Sequence, residues 1–142
     1  MAGTITGVLT RLGSNKGCKL ELTCTADAAD HTLPVTELNP LAVDSAGATF
    51  DLRGLKLYSV KAIPGATAPT DATDLTITDE YGVDLLGGKG TDLIDATTKT
   101  FIPAGPGAFA QPALITGTIS ATITNNAVNS AVFKLVLEFI GD

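Results

Sequence analysis

The chain is poor in the side chains that most enzymes and metal sites use. Its 142 residues include one histidine, two cysteines and no tryptophan, and aromatic residues make up 5% of the sequence. A nucleophilic triad needs a histidine base, but His31 stands beside Asp30 with no patterned serine or cysteine near it. Cys18 and Cys24 lie on one face of a predicted strand, too far apart to share a tetrahedral zinc ion. We therefore predict no catalytic residue, no cofactor and no enzyme activity.

The two cysteines are predicted to be buried free thiols. At about 3.3 Å per strand residue, Cys18 and Cys24 would lie roughly 20 Å apart, whereas a disulfide needs Cα atoms within about 7 Å. Free thiols suit a reducing compartment. The stretch Met1–Thr6 does not read as a signal peptide, and Lys134 and Glu138 interrupt the longest apolar run. These features predict folding in a cytosol and no membrane association.

Charge is scarce, and the acidic excess is concentrated in one segment. Charged residues make up 17% of the chain and the formal net charge is −6, so no basic surface for nucleic acid is predicted. Residues 71–95 hold seven acids and one base, which leaves eight of each elsewhere. The entire net charge therefore lies in this acidic segment. The weakly charged remainder favours burial against neighbours in an assembly.

The acidic segment also carries the residues predicted to form a contact surface. These are Tyr81, the adjacent Leu85 and Leu86, and Lys89 within a glycine-rich turn. Exposed leucines beside acids and glycine turns are more typical of an interface than of a core. A core position for both leucines is the alternative, because Val83 and Leu85 alternate as strand residues do.

The acids of this segment match no standard ligand motif. Gly87–Thr91 lacks the Ser or Thr that a phosphate-binding loop places directly after its lysine, here Lys89. Asp79, Glu80 and Asp84 are candidate calcium ligands, although their spacing fits no EF-hand loop. The same three acids would be the candidate residues of a hydrolase. A solvated acidic loop without metal is the interpretation that we favour.

Alternation of apolar and polar residues predicts an all-β fold. We predict a single antiparallel β-sandwich or jelly roll of about eight strands spanning residues 1–142, with a small barrel as the alternative. The inward positions are predicted to be the even residues of the second strand and the odd residues Phe133, Leu135, Leu137 and Phe139 of the last. The predicted strands are Thr4–Leu12, Cys18–Thr25, His31–Glu37, Leu55–Ile63, Leu75–Thr78, Lys99–Ile102, Leu114–Thr124 and Ala131–Ile140.

Loop chemistry adds three expectations about the connections between these strands. The asparagine-rich stretch 125–129 reads as a hairpin loop, so the last two strands are expected to be antiparallel neighbours. The acidic segment lies between two stretches rich in Pro, Gly and Ala, residues 62–74 and 103–112, and is predicted to be a loop excursion from the sandwich. Single helical turns are allowed at Leu38–Val43 and Thr91–Thr97.

Three stretches resemble small β-sandwich proteins encoded among the structural genes of tailed bacteriophages. They are DLTITDEYGVDLLGGKGT, residues 74–91, and the later pair ALITGTISATITN and AVFKLVLEF. The most distinctive part is the pattern Asp-x-x-Gly-Val-Asp-Leu-Leu-Gly-Gly, residues 79–88. Proteins of this kind are often capsid decoration (cement) proteins, head fibres or tail accessories. The resemblance supplies no catalytic residues.

The resemblance implies a structural protein of the virion that is assembled in the host bacterial cytoplasm. The expected partner is the major capsid protein or another virion protein, and symmetric self-association as a dimer or trimer is expected. A decoration protein that binds and stabilises the head surface is the first hypothesis. The alternative is a head-fibre or tail-accessory module that binds host-surface glycan, although the lack of tryptophan counts against it.

Overall fold

The computed structural model describes residues 3–12, 17–39, 51–107 and 111–141, and this part of the chain is all-β. It contains nine strands and no helix. The strands are β1 (Thr4–Leu12), β2 (Gly17–Thr25), β3 (Thr36–Glu37), β4 (Lys56–Pro64), β5 (Asp74–Thr78), β6 (Thr100–Pro103), β7 (Ala113–Leu114), β8 (Ser120–Thr124) and β9 (Val132–Ile140). The all-β prediction is confirmed, and most strand ends agree with the alternation within two residues. Within these ranges no helix is long and apolar enough to cross a membrane.

The described strands form two antiparallel sheets. The larger sheet has the order β1-β2-β9-β4-β6, with the short β7 also paired to β4. The smaller sheet has the order β3-β8-β5. Buried residues of both sheets belong to one hydrophobic cluster, so the sheets share a core. Strand β3, which begins two residues after Pro34, lies at an edge of the smaller sheet.

The predicted inward faces of the two longest alternating strands are confirmed. In β2 the buried positions are Cys18, Leu20, Leu22 and Cys24. In β9 they are Phe133, Leu135, Leu137 and Phe139, each no more than 1% exposed. These two strands pair along their whole lengths, from Gly17 opposite Ile140 to Thr25 opposite Val132. Burial of one side chain in two along both strands builds the centre of the core.

The predicted strand Leu114–Thr124 is two strands in different sheets. Strand β7 pairs with β4 in the larger sheet, whereas β8 pairs with β3 and β5 in the smaller one. The expected hairpin between the last two strands is therefore wrong, because β9 pairs with β2 and β4. Between β7 and β8 the chain crosses from one sheet to the other. Ile115 and Ile119 stay buried on both sides of the crossing because both inner faces line one core.

Neither predicted helical turn is found among the described residues. Thr91–Thr97 forms turns, bends and one isolated bridge, in which Thr73 pairs with Ile94. In the stretch Leu38–Val43, Leu38 and Asn39 are not helical, and residues 40–43 lie outside the described part of the chain. Asn39 instead donates its amide to the carbonyl oxygen of Gly117 at 3.2 Å.

Both cysteines are free thiols buried in the core, as predicted. Burial raises the pKa of the Cys18 thiol to about 11, partly offset by the positive charge of Arg11, and raises that of Cys24 to about 12. We expect neither thiol to react with an aromatic disulfide reagent at pH 7.5 in the folded protein, because the thiolate is the reactive form. Both should react after unfolding in guanidinium chloride. Rapid modification of one thiol without denaturant would contradict its buried position.

Candidate contact site at the Tyr81 turn

The acidic segment contributes a strand and core residues to the fold. Its residues 74–78 are β5, and the chain then turns back along the outer edge of that strand. Leu85 donates its N–H to the carbonyl oxygen of Ile77 at 2.7 Å. This return places Leu85 and Leu86 in the core, where they are 7% and 0% exposed. The exposed position predicted for the two leucines is therefore wrong, and they pack as the core alternative described.

The returning chain covers the edge of β5 along most of its length. Leu75 donates its N–H to the carbonyl oxygen of Gly90 at 2.9 Å, and Thr73 exchanges backbone hydrogen bonds with Ile94. Leu93 and Ile94 are buried beside the leucine pair. Most of the segment predicted as a loop excursion is thus hydrogen-bonded to the smaller sheet. The part that does project is the short turn between Asp79 and Asp84, which we call the Tyr81 turn.

Asp79 orders the Tyr81 turn through its carboxylate and its backbone. Its Oδ1 accepts hydrogen bonds from the backbone N–H groups of Tyr81 and Val83, both at 2.9 Å. Its own N–H donates to the Val83 carbonyl at 3.0 Å, and its carbonyl accepts from Gly82 at 3.0 Å. Gly82 has φ of +83°, which glycine adopts without steric cost. Four hydrogen bonds therefore fix residues 79–83 of the turn.

The other two calcium candidates are also engaged within the protein. Asp84 accepts hydrogen bonds from the N–H groups of Leu86 at 3.0 Å and Gly88 at 2.9 Å. Glu80 accepts one from the Thr116 hydroxyl at 2.6 Å. Nowhere in the described ranges do three or more His, Cys, Asp or Glu side chains form a group that could hold a metal ion. The arrangement anchors backbone amides and does not gather oxygen atoms around a common point.

Capping of backbone amides also accounts for acids elsewhere in the segment. Asp71 accepts from the N–H of Ala96 at 2.7 Å, and Asp74 accepts from that of Asp92 at 2.8 Å. Asp95 accepts from the amides of Thr97 and Thr98, and these bonds lower the pKa of its carboxyl. A carboxylate satisfies N–H groups that an irregular chain leaves without ladder partners. The acidic excess is therefore largely structural.

The Tyr81 turn exposes one aromatic and one aliphatic side chain to solvent. Tyr81 is 80% exposed and Val83 is 56% exposed. Lys89, also predicted at this surface, is half-buried and donates its Nζ to the carbonyl oxygen of Gly107 at 3.0 Å. Lys89 thus connects the segment to the chain after β6. Of the four predicted contact residues, only Tyr81 has a largely solvent-exposed side chain.

An open depression in the described structure lies away from this turn. It is lined by residues 31–33 and 35 on one side and by residues 122–126 on the other. His31 is the titratable side chain of that lining, and none of the residues that line it is acidic.

Comparison with known proteins yields one structural likeness. No protein-family model matches the chain, and no curated protein sequence matches it. A chain in the solved structure of the cyanophage Pam1 capsid asymmetric unit is similar over 100% of this chain and 88% of its own length. The sequence identity is 16% and the TM-score is 0.41. We therefore base the functional proposal on the residues of this chain.

Proposed function

We propose that this chain is a non-enzymatic structural protein of a tailed-phage virion, a decoration protein that binds and stabilises the head surface. The observation that carries the proposal is the Tyr81 turn, an ordered loop that exposes an aromatic and an aliphatic side chain. The expected partner is the major capsid protein or another virion protein. The acids that a hydrolase would use are those that hold this turn and its neighbours in place.

A tyrosine on a preordered turn suits a protein–protein contact. Tyrosine is enriched among the few residues that dominate binding energy, and a turn that is already ordered loses little conformational entropy on binding. Tyr81 has a phenolic hydroxyl at the end of an apolar ring, so it can bury area and still make a hydrogen bond. Its position at the tip lets it reach a recess on a neighbouring surface.

The phage-like sequence pattern supports the proposal because its residues build this turn. Asp79 and Asp84 are the two capping carboxylates, and the glycines at positions 82, 87 and 88 all have positive φ. Leu85 and Leu86 anchor the end of the turn in the core. The residues that carry the resemblance to phage structural proteins are therefore those that shape the exposed surface.

Mass spectrometry of purified particles from the encoding phage tests the proposal directly. A decoration protein should be present in a fixed stoichiometry to the major capsid protein after the particles are banded in a density gradient. Absence of the chain from such particles would remove the proposal. Binding of the isolated protein to host cells or glycan arrays, with no binding to heads, would instead support the glycan-binding alternative.

Tyr81→Ala is expected to weaken binding to heads prepared without this protein by roughly 30-fold. That factor corresponds to about 2 kcal/mol, the loss that defines a dominant interface residue. Co-sedimentation of the purified variant with such heads measures the change. Tyr58→Ala is the matched control, because Tyr58 is also exposed, at 42%, but lies in β4 of the larger sheet. Equal losses for the two variants would show that the Tyr81 turn is not the contact.

A further inference from the structure

We propose that the depression beside β8 is a binding site for a neutral sugar, which it holds through two hydroxyls on neighbouring carbons. We call this site the β8 depression. Residues 31–33 and 35 form one wall and residues 122–126 form the other. Its volume is about 470 Å³, which is in the range of clefts that bind small molecules. The inference does not depend on the proposed function, since it concerns a different surface from the Tyr81 turn.

The β8 depression forms where the pairing between β3 and β8 stops. Thr36 is opposite Ala121, and the same register continued by two residues places Pro34 opposite Ile123. Proline has no N–H, so it cannot donate the next hydrogen bond of the ladder. Within the described ranges no backbone hydrogen bond joins Ile123 to residues 31–35. The chain before β3 therefore separates from β8, and the separation leaves the depression between them.

The backbone N–H and C=O of Ile123 point into the β8 depression. Leu75, which is opposite Ile123 in β5, donates its N–H to Gly90 on the outer side of that strand. Opposite residues of an antiparallel pair direct their backbone groups either both toward each other or both away, so those of Ile123 point away from β5. Ile119 confirms this direction, because its carbonyl accepts from Leu38 at 2.8 Å on the β3 side. Ile123 buries its side chain in the core and still lines the depression, where its donor and acceptor are available to a ligand.

The β8 depression is closed at both ends, which favours a compact ligand over an extended peptide. The ladder between β3 and β8 closes one end. At the other end Asn126 donates its side-chain amide to the carbonyl oxygen of His31 at 2.9 Å. Asn126 Oδ1 in turn accepts from the N–H groups of Thr70 and Val128, both at 3.2 Å. The walls are thus ordered before a ligand binds, so binding loses little conformational entropy.

The polar groups of the lining match a neutral ligand that carries several hydroxyls. His31 is the titratable side chain there, and a charged ligand without an opposite charge would be costly to bury. Thr122 and Thr124 also line the depression, and neither hydroxyl has a hydrogen-bond partner among the described residues. Of two hydroxyls on neighbouring sugar carbons, one can accept from the Ile123 N–H while the other donates to its C=O. Val35, 67% exposed, supplies apolar surface for the C–H groups of the sugar ring.

Titration of the isotope-labelled protein with the methyl glycosides of glucose, galactose and mannose, followed by NMR, tests the site. At least one glycoside should shift the Ile123 amide signal saturably, with a Kd of roughly 1–10 mM for a ligand of this size. Before sugar is added, the Ile123 N–H should exchange with deuterated water faster than that of Ala121, whose backbone faces Thr36. Exchange at Ile123 as slow as at Ala121 would overturn the proposal, as would the absence of any shift by all three glycosides at about 100 mM.

Thr122→Val removes one hydroxyl of the lining and keeps the branched shape that suits a strand. It should raise the Kd for the bound glycoside about 5- to 10-fold, the effect of losing one hydrogen bond. Thr76→Val is the matched control, because Thr76 is opposite Thr122 on the same face of the smaller sheet but does not line the depression. It should leave the Kd unchanged. Equal effects of the two substitutions would overturn the proposal.

Two further probes define the ligand class. If the trisaccharide that ends in the bound sugar binds more tightly than the methyl glycoside, the ligand is the end of a glycan, whereas equal binding indicates a free sugar. Both results agree with the proposal. A blocked tetrapeptide of threonine and valine tests strand addition at the same edge of β8. A shift of the Ile123 amide by this peptide and by none of the glycosides would replace the sugar with an extended peptide and overturn the proposal.

Discussion

Leu86→Ala is expected to lower the free energy of unfolding by about 2–5 kcal/mol, the usual range for a leucine removed from a packed core. Leu86 is 0% exposed and belongs to the cluster shared by the two sheets. Such a loss is a large part of the roughly 5–15 kcal/mol that stabilises a typical domain. Urea unfolding followed by circular dichroism measures it, and the midpoint should fall while the slope stays constant.

Val83→Ala is the matched control for this experiment. Val83 is three residues away in the same segment but is 56% exposed. Its truncation should change stability by no more than about 0.5 kcal/mol, as is usual for surface positions. If Leu86→Ala leaves the urea midpoint unchanged but weakens binding to a partner, the leucine is a contact residue and its place in the core is wrong.

The burial of both Leu85 and Leu86 could not be predicted from the alternation of apolar and polar residues. Alternation assigns successive strand residues to opposite faces, so it cannot bury both members of an adjacent pair. In the structure the pair lies at the end of a turn, where Asp84 caps the N–H of Leu86 and the strand geometry ends. In an Asx turn, an Asp or Asn side chain accepts a hydrogen bond from the backbone N–H two residues later, as Asp84 does from Leu86. Asp79 before Tyr81 has the same spacing, and this signal would have located the turn.

The strands were more predictable than their partners. A strand of alternating burial, such as β9, is defined by its own residues, and its predicted bounds and inward face agree with the structure. The sheet that a strand joins depends on contacts distant in sequence. From β7 through β8 the buried residues are all odd-numbered, because both sheets face the same core. Alternation therefore predicted one strand where the chain forms two.

The contact site was also predictable only where it depends on residues that are close in the sequence. Tyr81 stands next to Gly82 between two acids, a composition that indicates a turn and hence exposure. Lys89 also lies among glycines, yet it is half-buried because its Nζ reaches Gly107, a residue 18 positions away. Only the folded structure brings those two residues together. Local chemistry therefore identified the exposed tip but not the long-range hydrogen bond beside it.

Gly90→Ala is expected to destabilise the protein by about 3 kcal/mol or more. Gly90 is buried against β5, and an added Cβ would overlap the carbonyl oxygen of Leu75. The backbone cannot yield cheaply, because Gly90 accepts the hydrogen bond from Leu75 at 2.9 Å. Overpacking costs about 1–3 kcal/mol, and loss of a buried hydrogen bond costs a similar amount. Thermal melting should show a fall in Tm of roughly 10 °C.

Gly88→Ala is the matched control, because it tests backbone strain without the steric contact that an alanine at position 90 would make with Leu75. Gly88 has φ of +82° and open space around its Cα, so alanine there meets strain but no neighbouring atom. The expected cost is about 1–2 kcal/mol, as for a non-glycine residue in left-handed backbone. The close approach to β5 thus predicts that Gly90→Ala is the more damaging change although its backbone is ordinary. If Gly88→Ala lowered Tm as much as Gly90→Ala, the stability of this segment would depend mainly on its turn conformation. The close packing of Gly90 against β5 would then contribute little.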